Sequence, residues 1–199
     1  MGFTLTWIAV RGKPDSEIRS ALGLTGTGQF QELPDAPISA ALSPSGWYVV
    51  VRDRELGFFD DEVLSKISLS CELVMCTLSE TVMYSGASEW KDGRKIWSVT
   101  HDSSQGREDL QHDGELPSEF AAIRERLMES QKGERSSKPG MGIDYIFDIP
   151  IELARQLTGY THDQDIPGLD EDNDEPYEVL EAVAPPAKPQ SFFRRLFGS

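Results

Sequence analysis

The sequence predicts an α+β fold: a mainly antiparallel sheet with helices packed on it. Three observations predict it. Short apolar runs recur between Pro and Gly residues, the punctuation expected between strands. Helical periodicity is confined to a few stretches that do not alternate one-for-one with the strands. Asp92-Gly93 separates two strand-like runs, a strong type I′ hairpin signal.

Each element has its own reason. "FTLTWIAV" (3–10) alternates as a strand, with Phe3, Leu5 and Trp7 on one face. In "PDSEIRSALG" (14–23), Pro14 suits a helix start, Gly23 a stop, and Ile18, Ala21 and Leu22 share a face. "GQFQEL" (28–33) and "PISAAL" (37–42) read as strands. "GWYVVVRD" (46–53) is apolar on both faces and reads as a central strand. Asp60 is placed to cap the short helix "DEVLSKIS" (61–68).

"CELVMCTL" (71–78) continues the sheet, and "TVMYSGASEW" (81–90) and "RKIWSVTH" (94–101) form the hairpin. "REDLQH" (107–112) adds an edge strand. In "PSEFAAIRERLMESQ" (117–131), Phe120, Ile123 and Leu127 continue a helical stripe from Leu116. A polar connector is expected over 131–141. "IDYIF" (143–147) then reads as a strand. Asp148 caps a helix that stops at Gly159, with Ile149, Leu153 and Leu157 on its inner stripe. The order hints at two similar βα-rich halves without aligned identities. The expected division is a globular domain over 1–160, an acidic segment over 161–183 with a late edge strand at 177–183, and a Pro-rich linker and apolar-basic tail over 184–199.

Charge is the main functional handle. Net charge is −15, and residues 163–187 hold nine acids and no Lys or Arg. Such a field opposes phosphate backbones and anionic lipid, which bind through Lys and Arg, and attracts basic proteins. Nucleic acid is therefore not an expected partner. No apolar run is long enough to span a membrane, and the start lacks the pattern of a signal peptide. Cys71 and Cys76 lie an odd number of residues apart, so one strand would aim them at opposite faces. Two buried free thiols fit a reducing cytoplasm.

The candidate binding residues are Asp163, Asp165, Asp170, Glu171, Asp172, Asp174 and Glu175. "DQDIPGLDEDND" (163–174) places Asp163, Asp165 and Gly168 as in an EF-hand loop. Pro167 then removes an oxygen ligand, and Asp174 is one carbon short of the usual closing Glu. No metal and no cofactor are expected; the three histidines and two cysteines have no ligand spacing. Trp90 borders the hairpin turn and would be a binding anchor if exposed. In the tail, Phe192, Phe193, Leu196 and Phe197 have the spacing of one helix face beside Arg194 and Arg195. That pattern suits docking on this domain, on a partner or on a membrane surface.

Three functions follow. The first is a non-enzymatic acidic module, most concretely an immunity-type inhibitor of a basic toxin. The second is an adaptor or assembly protein tethered through its tail. The third is an enzyme with an unfamiliar site around His101, Asp102 and His162; no G-x-S-x-G nucleophile turn accompanies them.

Overall fold

The computed structural model describes residues 2–53, 56–57, 59–137, 143–169 and 174–183, with the backbone alone for 134–137. Its nine strands are β1 (Thr4–Arg11), β2 (Leu24–Gln31), β3 (Ile38–Leu42), β4 (Tyr48–Asp53), β5 (Glu72–Ser79), β6 (Tyr84–Lys91), β7 (Arg94–Asp102), β8 (Gln111–Gly114) and β9 (Tyr177–Ala182). They form one sheet in the order β2-β9-β3-β4-β1-β5-β6-β7-β8. Every pairing is antiparallel. The helices are α1 (Asp15–Leu22), α2 (Asp61–Ile67), α3 (Glu119–Ser137) and α4 (Asp148–Thr158). The α+β class and the helices-on-sheet arrangement are as the sequence predicts.

The sheet is covered on both faces, so its middle strands are apolar on both. Trp7 and Ala9 of β1 join Val49, Val51, Cys76 and Leu78 in a core closed by Phe120, Ile123 and Leu127 of α3 and Ile149 and Leu153 of α4. Ile8 and Val10 point the other way, toward Val50, Leu73, Ile18 of α1, and Leu64 and Ile67 of α2. Burying each large aliphatic side chain is worth about 1.5–3 kcal/mol, so these two layers dominate stability. Cys71 belongs to one core and Cys76 to the other, and both are free. Trp90 is buried, not an exposed anchor: its indole packs in the α1–α2 core and donates to Ser88 Oγ.

Local signals hold where one residue decides the geometry. Asp60 Oδ1 accepts from Val63 N at 2.9 Å and starts α2. Asp92 and Gly93 both have positive φ, as a type I′ turn demands. Gly23 and Gly159 end α1 and α4 in the left-handed region.

Five expectations are corrected. The edge strand lies at Gln111–Gly114, later than 107–112. Residues 131–137 continue α3 instead of forming a connector, because Gly133 costs a helix only about 1 kcal/mol and no proline occurs before Pro139. No strand forms over 143–147, and residues 145–147 are a turn. There Asp144 Oδ1 accepts from Ile146 N and Phe147 N, so Asp144 organises the start of α4, and Asp148 makes no capping bond. Finally, β9 is not at an edge. It lies between β2 and β3, pairing with both, and the edges are β2 and β8.

Candidate functional site: an acidic cleft at one end of the sheet

The strand register gathers several chain segments at one end of the sheet. Leu5 of β1 pairs with Asp53 of β4, and Gln31 of β2 pairs with Tyr177 of β9. The start of β1, the exits of β2 and β4, and the entry to β9 therefore meet. Between them lies a cleft of about 940 Å³. Glu32, Asp35, Asp53, Asp163, Asp165 and Asp174 contribute carboxylates to its lining, and no Lys or Arg occurs among the described residues that line it. Phe3, Leu5, Leu33, Ile166, Leu169 and Tyr177 supply apolar surface.

The acidic loop is pinned from within. Tyr160 follows the end of α4 and stands edge-on to Trp7, ring centres 5.0 Å apart, with only 1% of its surface exposed. Ile166 and Tyr177 are also buried. Between these anchors Asp163, Gln164, Asp165, Asp174 and Glu175 are exposed. Thr161 Oγ1 donates to Asp163 Oδ1 at 2.8 Å and fixes that carboxylate. The hydrophobic effect thus holds the described parts of the segment, and Asp163, Asp165, Asp174 and Glu175 stay hydrated.

No family model, curated protein or solved structure matches the chain. The site is therefore read from its own geometry.

Of the predicted acids, Asp163, Asp165 and Asp174 line the cleft. Glu175 is exposed beside them and outside the lining. Asp170, Glu171 and Asp172 lie outside the described residues, as do Phe192, Phe193, Arg194, Arg195 and Phe197. Glu32, Asp35 and Asp53 were not foreseen. They come from strand ends far away in sequence, and only the register brings them in. Among the described residues no three His, Cys, Asp or Glu groups are placed to hold a metal ion. No described helix is long and apolar enough to cross a membrane.

A second cleft, of about 620 Å³, is lined by Glu80, Met83, Ser103, Arg107, Ile143, Asp144, Phe147 and Asp148. The two clefts are linked by Glu80, whose Oε2 accepts from Phe3 N at 2.9 Å, while Phe3 packs edge-on against His162. Burial pushes the Asp148 carboxyl up to about 6, helped by the charges of Glu152, Asp144, Asp163 and Glu80. Burial also lowers the His162 pKa, and Asp163 and Glu80 oppose that shift.

The three residues of the enzyme reading sit in different settings. His101 is fully buried. Its Nδ1 lies 2.7 Å from the Asp109 carbonyl, which only accepts, so Nδ1–H donates. Asp102 turns away into a local turn, accepting from Ser104 N at 2.9 Å. His162 packs on Phe3 at the acidic cleft.

Proposed function

We propose that the chain is a non-enzymatic binding module whose acidic cleft receives a basic protein. The most concrete form is an immunity-type inhibitor that covers the cationic active site of a toxin in a reducing cytoplasm. One observation carries this reading: six carboxylates from four chain segments line a partly apolar cleft that holds, among the described residues, no Lys or Arg. An incoming cation is drawn to the negative field of these acids. Clustered acids also accelerate encounter with a basic surface and repel phosphate backbones. The burial of His101 supports the non-enzymatic reading, because its ring is closed to a substrate.

The test is affinity capture with the full chain at low salt, with the retained species identified by mass spectrometry. The expected species is basic and elutes as ionic strength rises. Its retention falls at least tenfold in the combined variant Glu32→Gln, Asp35→Asn, Asp163→Asn, Asp165→Asn and Asp174→Asn. Glu125→Gln, on the exposed surface of α3, leaves it unchanged. Equal retention by the cleft variant rejects the reading.

A further inference from the structure

We propose that the occupant of the acidic cleft in the free protein is the chain's own C-terminal segment, residues 188–199, so that a basic partner must displace it. This rests on the reading of the cleft as a receptor for cationic protein and adds its regulation.

Three observations meet. The first is exposed apolar surface within the acidic rim: Phe3 is 47% exposed and Leu33 is 53% exposed, both at the cleft. Large side chains held open in this way gain by being covered. The second is composition. The segment holds Phe192, Phe193, Leu196 and Phe197 with Lys188, Arg194 and Arg195, and no acid side chain. It thus carries two chemistries that complement the described lining, apolar bulk for Phe3 and Leu33 and positive charge for the acidic rim. These are also the only Lys and Arg residues after Arg155.

The third is reach. β9 runs from Tyr177 at the cleft to Ala182, and Val183 N bonds to Gly23 O at the opposite end of β2. Six residues of strand carry the chain roughly 20 Å from the cleft. The nine residues from Val183 to Phe192 span at most about 30 Å when extended. The return is therefore within reach, and the prolines at 185, 186 and 189 favour an extended path. A tethered segment acts at high effective concentration, so even weak docking fills the site.

The test places a nitroxide spin label on Ser199→Cys in the full chain; Cys71 and Cys76 are buried and resist labelling. Amide broadening is read at Phe3, Leu33 and Leu169, with Asp92 and Gly93 as distant controls. The expected result is strong broadening at the first three, unchanged on tenfold dilution and abolished by Arg194→Glu with Arg195→Glu. Absent or uniform broadening overturns the proposal. Broadening that fades on dilution overturns it too, since the tail would then come from a second copy.

An octa-arginine peptide separates this inference from the reading beneath it. The expected result is that the peptide displaces the tail and binds the Arg194→Glu, Arg195→Glu variant roughly tenfold more tightly, as for a cleft nine-tenths occupied. Equal binding to both proteins, sensitive to neutralising the cleft acids and without tail broadening, retains the receptor and removes the self-docking. Tail broadening without peptide binding confirms the docking contact and removes the receptor role, and with it the displacement.

Discussion

His101 Nε2 stands 3.3 Å from Asp144 Oδ2, an ion-pair distance without the alignment of a hydrogen bond. The same carboxylate spends its other oxygen on Ile146 N and Phe147 N at the entrance to α4. Asp144 therefore joins β7 to the helix that covers one face of the sheet.

Replacing Asp144 with Ala removes the backbone acceptor and the group facing a buried imidazole. The expected cost is about 2 kcal/mol, the sum of a lost cap and a lost polar partner. Asp144→Asn keeps an acceptor oxygen and costs less than half as much. Urea unfolding midpoints measure both, with an unchanged slope showing that stability alone has moved. Equal losses in the two variants would show that capping is not its main contribution.

Asp148 gives a pH test with a defined sign. Its folded pKa of about 6 lies above the ordinary value of 3.8, so the folded state binds the proton more tightly. The stability this group contributes is present at low pH and is lost as pH rises through about 6. Asp148→Asn is therefore more stable than the parent at pH 8, by no more than roughly 1 kcal/mol after solvent screening of a partly exposed group. The difference closes as pH falls toward 4. His162 runs the opposite way: its lowered pKa makes the folded state resist protonation, so stability falls as pH drops through 6.5. Thermal melts of both proteins between pH 4 and 8 isolate the Asp148 part, and a constant difference across that range would refute it.

Asp60→Ala removes the side-chain bond from Val63 N that starts α2. The expected loss is about 1 kcal/mol. Asp60→Asn restores most of it, which calorimetry resolves as two distinct melting temperatures.

Gly114 closes the edge strand β8 at φ 83°, and an added Cβ would lie 2.0 Å from the Ile96 carbonyl oxygen. Backbone cannot yield there, so Gly114→Ala is expected to cost about 2–4 kcal/mol and to loosen β8. Gly23→Ala meets open space at φ 66° and costs only about 1 kcal/mol. Hydrogen exchange at Val99 and Thr100, opposite β8, accelerates in the first variant only.

What could be read from the sequence was local. Asp60, Asp92-Gly93 and Gly159 each set a turn by their own chemistry, and Ile149 and Leu153 declare the buried face of α4 by spacing alone. "IDYIF" misled because β-branched and aromatic residues report burial as well as strand, and the Asp144 side chain competed successfully for the backbone. Half of the cleft was visible as an acid run. Glu32, Asp35 and Asp53 were invisible, because each is an ordinary loop or strand-end acid until the register of β1, β2, β4 and β9 sets them side by side.

The place of β9 also has a consequence for synthesis. Thr27 on β2 bonds to Val179 across a separation of 152 residues, and among the described strands β2 has no other beside it. A nascent chain holds that ribbon of backbone without a mate until nearly all of the described protein has left the ribosome. Chaperones that shield naked strand edges would then matter most in the last seconds of translation.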